Sequence, residues 1–214
     1  MYVPDGFAEH DRQVLHAFIE RHSFATLVSH GATDEAAPEA THLPLLLDHE
    51  AAGQGQLLGH FARENPHWQF ADGREVLAVF HGPHAYVSPT WYEERRVVPT
   101  WNYVAVHVAG TLRVQHDRVR VLELLRRTVE TYEAPLPRPW SLGDSDAEFI
   151  DKLVDGVVGF TIEISRIQGK WKLNQNQSPQ RRERVVAALQ QQPGADQQEI
   201  AHLMRLRMAS TQGK

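Results

Sequence analysis

The sequence predicts an α+β protein built on an antiparallel sheet with helices packed against it. Short apolar or alternating runs recur at about ten-residue spacing and are separated by loops rich in Gly, Pro, Asp and Glu. This pattern favours an antiparallel meander or barrel over a β-α-β sheet, in which helical segments would separate the strands. A few other segments carry apolar residues at helical spacing, which indicates helices around the sheet.

The predicted strands share apolar or alternating side chains bounded by turn residues. They are residues 24–30, 40–49, 55–62, 75–82, 85–88, 101–115 and 157–164. Pro44 lies inside the second of these strands and cannot donate a hydrogen bond to a ladder, so it marks a sheet edge or a bulge. Gly82 and Pro83 predict a turn between the fourth and fifth runs.

The predicted helices begin at residues that commonly cap helix N-termini. They are residues 11–22, 117–133, 145–156, 178–192 and 196–208. Ser145 with Glu148 forms a capping-box pattern, and Gly156 provides the stop signal of the same helix. Ser178 followed by Pro179 is a second strong start signal.

Composition excludes several classes of protein. The chain has 214 residues, no cysteine and a formal net charge of -5. Without cysteine it has no disulfide, thiolate zinc site, iron–sulfur cluster or cysteine nucleophile, which suits a reducing cytoplasm. The stretch "MYVPDGFAEHD" has neither a basic flank nor an apolar run, so we expect no signal peptide, and no run of about 18 apolar residues is present, so we expect no membrane span. The negative charge argues against a surface made mainly for nucleic acid.

Familiar catalytic motifs are missing or unconvincing. The sequence has no P-loop, no G-x-S-x-G and no H-E-x-x-H. "GQGQLLG" at 53–59 lacks dinucleotide-binding spacing and precedes a predicted strand, so we interpret it as a hairpin loop. His81 and His84 flank the predicted Gly-Pro turn and are better explained as a surface pair than as metal ligands. We predict no metal site.

Two early segments carry polar groups where strands end or are interrupted. "THLPLLL" places Thr41 and His42 before Pro44. "GHFARENPHW" contains His60, Arg63 and Asn65 ahead of a helix start at Pro66. Arg63 is able to bind a phosphate through two N–H groups, although taken singly it is better explained by capping a helix or pairing with Glu64.

Two later segments combine aromatic, amide and cationic side chains. The residues that stand out are Ser88, Trp91, Trp101, Asn102, Tyr103, Lys170, Lys172, Gln175 and Asn176. Each has an ordinary explanation in core packing, an oligomer interface or solvent exposure. Together they offer the flat apolar faces, hydrogen-bonding edges and cations that a phosphorylated heterocycle requires.

These segments, in this order, resemble the PaiB-like family of FMN-binding negative transcriptional regulators. The matching stretches include "MYVPDGFAEHD", "ATHLPLLLD", "LLGHFARENPHW", "VFHGPHAYVSPTWY", "VPTWNYVAVHVAG" and "VGFTIEISRIQGKWKLNQN". The resemblance implies an antiparallel split β-barrel, related to pyridoxamine-phosphate-oxidase-like flavoproteins, that forms a homodimer with FMN in clefts between the subunits. It covers residues 1–177 as one domain and leaves 178–214 as a C-terminal helical extension.

The resemblance and the residue chemistry jointly assign roles to the candidate residues. Thr41, His42, Leu43 and Pro44 would approach the isoalloxazine edge, and Arg63 with Lys170 or Lys172 would bind the phosphate. Trp91, Trp101, Asn102 and Tyr103 would contact the ring and the partner subunit. The other candidates for the FMN site are His60, Asn65, Ser88, Gln175 and Asn176. Where the family pattern has "KLSQNR" this chain has "KLNQNQ", so Asn174 and Gln177 weaken any anion contact there.

Two alternative functions share the same fold. A flavin-dependent oxidoreductase would use the bound cofactor with NAD(P)H or another donor and would need no dedicated acid or base. A haem-binding protein would use an axial histidine, for which His60, His81, His84 and His107 are candidates. Direct DNA binding has only the 178–208 helical pair, with its local basic excess, as a possible reader.

Overall fold

An antiparallel sheet organises the chain in the computed structural model, which describes residues 1–33, 35–51 and 53–211. The strands are β1 Ala8–Glu9, β2 Phe24–Ser29, β3 Glu39–Pro44, β4 Leu46–Asp48, β5 Gln56–Ala62, β6 Glu75–Val87, β7 Thr100–Val114 and β8 Val157–Lys172. Their order is β3-β2-β6-β7-β8-β5-β4, and β1 pairs with β8. β3 is therefore an edge strand, as Pro44 predicts.

The helices are named in chain order. They are α1 Arg12–Arg21, α2 His67–Ala71, α3 Arg118–Glu133, α4 Ala147–Asp155, α5 Pro179–Gln190 and α6 Ala195–Thr211. The expected caps form at α3, where Asp117 accepts from the Val119 amide at 2.9 Å, and at α5, where Ser178 accepts from the Arg181 amide at 3.4 Å. No helix within the described ranges is long and apolar enough to cross a membrane.

Most predicted elements are confirmed, and the differences have local causes. The run 40–49 divides into β3 and β4 after Pro44, and the Leu45 amide instead donates to the Ser23 carbonyl at 2.9 Å. The strand predicted at 157–164 continues to Lys172. α4 is capped by Asp146, whose carboxylate accepts from the Phe149 amide at 2.9 Å, so the predicted Ser145 cap was wrong.

The turn predicted at Gly82 and Pro83 was also wrong, because both residues lie inside the continuous strand β6. A Cβ at Gly82 would lie only 2.6 Å from the Phe18 ring. The glycine therefore permits close packing of the ring on the strand, which is the other common use of a strand glycine. Pro83 is buried, and the exposed positions of the strand shift from His81 to His84 across the Gly82–Pro83 pair.

The chain divides into two compact units, and β6, β7 and β8 contribute residues to both. Unit 2 contains residues 19–80 and 107–167. Its core is formed by large apolar side chains from β2, β4–β8 and the segments between them, and the fully buried ones include Leu27, Leu45, Leu57, Phe61, Phe80, Leu112, Phe160 and Ile162. β5 and β8 pair in register from Gln56 with Glu163 to Ala62 with Val157.

Unit 1 contains residues 1–18 and 81–106 and the described chain from Gln168 onward. Phe18 packs edge-on against Trp171 with ring centroids 5.2 Å apart. Helices α5 and α6 pack against each other through Val185, Leu189, Ile200 and Met204, all buried. The domain boundary expected at residue 178 falls inside this unit and stays a prediction, and residues 212–214 of the expected extension lie outside the described residues.

Candidate functional site

A buried histidine joins the polar residues of β2, β3 and the β5–α2 loop in unit 2. His67 is 0% exposed. Its Nδ1 lies 2.8 Å from Thr41 Oγ1, and its Nε2 lies 2.9 Å from Ser29 Oγ. Asn65 completes the cluster, because its Nδ2 donates to Thr41 Oγ1 at 3.1 Å and its Oδ1 accepts from the His67 amide at 3.0 Å. Thr41 and Asn65, both predicted site residues, are thus brought together.

The hydrogen bonds of this cluster fix the protonation of His67. Ser29 donates its hydroxyl proton to the His30 carbonyl at 2.8 Å, so Ser29 Oγ accepts from His67 Nε2–H. Burial lowers the pKa of His67, which leaves the ring neutral and Nδ1 free to accept from the Thr41 hydroxyl. Sequence reasoning missed His67, and the only available signal was a histidine at the first turn of a helix after Asn65 and Pro66.

His42, Leu43 and Pro44 follow Thr41 on edge strand β3. The His42 side chain is exposed and its Nδ1 lies 3.1 Å from Thr26 Oγ1. Leu43 is buried, and Pro44 is half-buried opposite Phe24 of β2. Thr41 and Leu43 lie on one side of β3 and His42 and Pro44 on the other, so each side carries one polar residue, and the strand lies at an edge of the sheet.

His60 and Arg63 lie at the end of β5 and just after it. His60 pairs with Gly159 and is half-buried, and burial lowers its pKa. The Arg63 guanidinium donates from Nε to the Asp155 carbonyl and from Nη2 to the Val157 carbonyl, the latter at 2.7 Å. Arg63 therefore satisfies the last carbonyl of α4 and the first carbonyl of β8, and the contact with α4 is the capping alternative that the sequence left open.

The cationic candidates of unit 1 lie on β8 and are part of the strand. Lys170 is buried, and its Nζ donates to the Tyr2 carbonyl at 3.0 Å. The same Nζ lies 5.2 Å from the Tyr103 ring centroid and 5.6 Å from that of Tyr2, within the range of cation–π contacts. Lys172 is half-buried and donates to Thr100 Oγ1 at 2.6 Å. Lys172 and Thr100 thus form an accessible ammonium–hydroxyl pair.

Trp101 and its neighbours form an exposed aromatic surface on β6 and β7. Trp101 is 52% exposed, and Tyr86 meets it edge-on with centroids 5.8 Å apart. The His84 ring lies 6.0 Å from the Trp101 ring, and His84 also pairs with Asp196 of α6 at 3.2 Å. Asn102 points the other way. It is fully buried, its Nδ2 lies 3.3 Å from Met204 Sδ, and its Oδ1 has no hydrogen-bond partner among the described residues.

Ser88 and Trp91 belong to the 3-10 turn Pro89–Tyr92. Ser88 caps this turn by accepting from the Thr90 amide at 3.2 Å. Trp91 is half-buried, whereas the next residue, Tyr92, is buried, and burial raises the pKa of its phenol. Tyr92 therefore keeps its proton at neutral pH and accepts a 2.7 Å hydrogen bond from Asn174 Nδ2.

The segment after β8 is a tight turn. Asn174 has a φ of 60°, a conformation that asparagine tolerates better than most residues, and the Gln177 amide donates to its carbonyl at 2.9 Å. Gln175 bonds within the turn to the Leu173 amide and the Trp171 carbonyl, while Asn176 is exposed. The two departures from the family pattern, Asn174 and Gln177, thus have structural partners.

The available donors fit FMN better than a metal. Lys172 with Thr100 matches a phosphate, and the exposed Trp101 and Tyr86 faces match a flat ring. Within the described ranges no group of three or more His, Asp or Glu side chains could hold a metal ion. Of the candidate haem ligands, His81 and His84 are exposed, and His60 and His107 are half-buried.

Comparison with known proteins agrees with this donor chemistry. The family model described as "Putative FMN-binding domain" matches residues 1–166. The Bacillus subtilis protein "Protease synthase and sporulation protein PAI 2" is 34% identical over 205 residues, which cover 95% of this chain and 96% of that protein.

Solved structures share the fold at low sequence identity. The Mycobacterium tuberculosis protein Rv2991 aligns over 84% of this chain and 94% of its own, with a TM-score of 0.57 and 12% identity. The flavocytochrome Anf3 from Azotobacter vinelandii aligns over 77% of this chain and 69% of its own, with a TM-score of 0.55 and 14% identity. The α+β split-barrel class is confirmed. The chain therefore belongs to the PaiB-like family of FMN-binding split-barrel proteins.

Proposed function

We propose that the protein is a cytoplasmic homodimer that binds FMN and acts as a negative regulator of gene expression. The observation that carries the proposal is the exposed aromatic surface of Trp101 and Tyr86 in a chain whose family binds FMN. Exposed large aromatic side chains on a sheet are typical of ligand or subunit contacts. A dimer in which this surface meets flavin and the partner chain would cover it.

The phosphate contact is assigned first to Lys172 with Thr100. Their pair is half-buried and combines an ammonium with a hydroxyl. Lys170 is a weaker candidate, because its ammonium is buried against Tyr2 and Tyr103. Arg63 is also weaker, because its guanidinium is bonded to backbone carbonyls.

The isoalloxazine edge is assigned to Thr41, His42 and the backbone of β3. The edge position of this strand supports the assignment, and the His67 cluster holds Thr41 in one orientation. When bound, FMN supplies reversible electron transfer by itself. The residues of the chain would bind it, orient its ring and exclude water from it.

The regulatory part of the proposal is drawn from the relative whose name refers to protease synthesis and sporulation. We propose that regulation is indirect, through a metabolite or protein contact. Several arginines of α5 and α6 have internal partners: Arg181 pairs with Glu94, Arg184 donates to the Tyr92 carbonyl, and Arg207 pairs with Glu9. Cations engaged in this way contribute little to binding phosphates along DNA.

The first experiment is an absorbance spectrum of the purified protein, followed by FMN titration of the apo protein with parallel sizing. We expect flavin bands and a dimer that FMN stabilises. Trp101→Ala should weaken FMN binding about tenfold, a loss typical of one aromatic contact, and the control Trp140→Ala should leave it unchanged. A colourless protein that ignores FMN, or equal affinities for the two variants, would contradict the proposal. Anaerobic addition of NADPH to the same sample tests the oxidoreductase alternative by bleaching.

A further inference from the structure

The segment Ser88–Glu94, which we name the aromatic turn, is held by contacts from α5 and from the turn after β8. We propose that these contacts form a clamp that sets the position of Trp91 for FMN binding, with Arg181 as its positioning residue. The inference rests on the proposed function and on the role that the family resemblance gives Trp91, which is contact with the flavin ring or with the partner subunit. All of the residues involved belong to unit 1.

Tyr92 is the residue of the aromatic turn that makes the most contacts with the clamp. It is 2% exposed. Its hydroxyl accepts from Asn174 Nδ2 at 2.7 Å, and the Arg181 guanidinium lies 5.9 Å from its ring centroid. Arg184 Nη1 donates to the Tyr92 carbonyl at 2.6 Å. The hydroxyl of Tyr92 is therefore held by the turn after β8, and its ring face and backbone carbonyl are held by α5.

Arg181 connects the aromatic turn to the turn after β8. Its Nε donates to Glu94 Oε1 at 2.9 Å, and its Nη2 donates to Glu94 Oε2, which makes the pair bidentate. Its Nη1 donates to Gln177 Oε1 at 2.8 Å. A lysine could supply the charge but not this fork of donors.

The aromatic turn needs such support because its own backbone is unfavourable. Glu93 has a φ of 54°, an uncommon conformation for a residue other than Gly, Asn or Asp. Residues in such conformations persist when surrounding contacts hold them. Glu93 Oε2 lies 3.5 Å from Arg184 Nε, and the Glu93 amide donates to the Thr90 carbonyl at 3.3 Å. Loss of the clamp would let the turn relax and carry Trp91 with it.

The clamp also accounts for the departures from the family pattern. Asn174 replaces the serine of that pattern and bonds to Tyr92, and Gln177 replaces the arginine and bonds to Arg181. The family model ends at residue 166, so Asn174, Gln177 and Arg181 lie beyond it. These positions in this chain thus serve to hold the aromatic turn, and the phosphate is left to other cations.

The test compares FMN titrations of the wild-type apo protein with Arg181→Ala, Arg181→Lys and Tyr92→Phe. The control is Arg205→Ala, which removes an exposed bond to Gln190 on the same helical pair. We expect Arg181→Ala and Arg181→Lys to weaken FMN binding about tenfold and to change the visible circular dichroism of bound flavin. Tyr92→Phe should give a smaller loss in the same direction, and Arg205→Ala should match the wild type in both readouts.

Trp91→Ala separates failure of the clamp from failure of the proposed function. If it weakens FMN binding while both Arg181 variants and Tyr92→Phe bind as the wild type does, the clamp is overturned and the flavin contact stands. If Trp91→Ala has no effect, the contact assigned to Trp91 fails, and any loss on changing Arg181 then arises without the aromatic turn and overturns the clamp as well. Should Arg181→Ala not fold, Tyr92→Phe, which retains the ring, tests the clamp through FMN affinity and the circular dichroism of bound flavin.

Discussion

Thr41 Oγ1 and His67 Nδ1 lie 2.8 Å apart, and this hydrogen bond ties edge strand β3 to helix α2. Asn65 bonds to both residues, so β3, the β5–α2 loop and α2 of unit 2 are joined in one cluster. The fully buried ring makes each bond of the cluster costly to lose, because an unpaired polar group would then remain without water.

Thr41→Val removes the hydroxyl of this cluster at nearly constant volume. It leaves His67 Nδ1 without a donor and Asn65 Nδ2 without its acceptor, so we expect the free energy of unfolding to fall by about 1–3 kcal/mol. Urea denaturation measures the change. Thr26→Val is the matched control, since it removes the 3.1 Å contact with the exposed His42 and should cost less than about 0.5 kcal/mol. Equal losses of unfolding free energy in Thr41→Val and Thr26→Val would show that the His67 cluster adds no stability of its own.

Stability should decrease as the pH falls below about 6.5. Burial lowers the pKa of His67 and of His60 in the folded state, so the unfolded chain binds more protons in this range. The contribution is complete above the unfolded pKa of about 6.5 and is lost as the pH falls through the folded pKa. Each pKa unit of difference is worth about 1.4 kcal/mol.

Urea unfolding at pH 7.5, 6.0 and 5.0 measures this dependence. His67→Gln and His60→Gln should each flatten the slope of stability against pH, because each removes a group whose pKa burial lowers. A His67→Gln variant with the wild-type slope would mean that His67 is not the group that titrates.

Asn174 offers a test of backbone conformation. Its φ of 60° is unfavourable for alanine and acceptable for glycine, while both substitutions remove the bond to Tyr92. We therefore expect Asn174→Ala to be less stable than Asn174→Gly by about 1 kcal/mol. Chemical denaturation compares the two. A glycine variant no more stable than the alanine variant would argue against the left-handed conformation at this turn.

The sequence allowed the sheet and most helices to be predicted because their signals are local. Asp117 and Ser178 each cap the helix whose start they predict, and the apolar runs of 24–30 and 55–62 form strands. Gly82 and Pro83 were misassigned because a glycine that permits a turn also permits a ring to pack on a strand, and only the position of Phe18 distinguishes the two.

The candidate residues were harder to assign than the elements because their partners are distant in the chain. The sequence did not indicate that the partners of Arg63 would be two carbonyls about 90 residues away, at the end of α4 and the start of β8. His67 carried no motif at all and acquires its role only from Ser29 and Thr41. Side-chain chemistry is visible in a sequence, whereas its partners are set by the fold.

Lys172 and Arg63 provide the last prediction, because both are candidates for the FMN phosphate and their present bonds differ. Lys172 bonds to one hydroxyl and keeps donors that could bind a phosphate, whereas Arg63 donates to the last carbonyl of α4 and the first carbonyl of β8. Lys172→Ala should therefore weaken FMN binding by about tenfold or more, the scale of a charge-assisted phosphate contact, with little change in stability. Arg63→Ala should lower the free energy of unfolding by about 1 kcal/mol and alter FMN affinity less than Lys172→Ala does. Riboflavin, which lacks the phosphate, is the matched ligand, and its binding should be insensitive to Lys172→Ala. The reverse order of FMN losses would assign the phosphate to Arg63 and would mean that its bonds to the Asp155 and Val157 carbonyls open when the flavin binds.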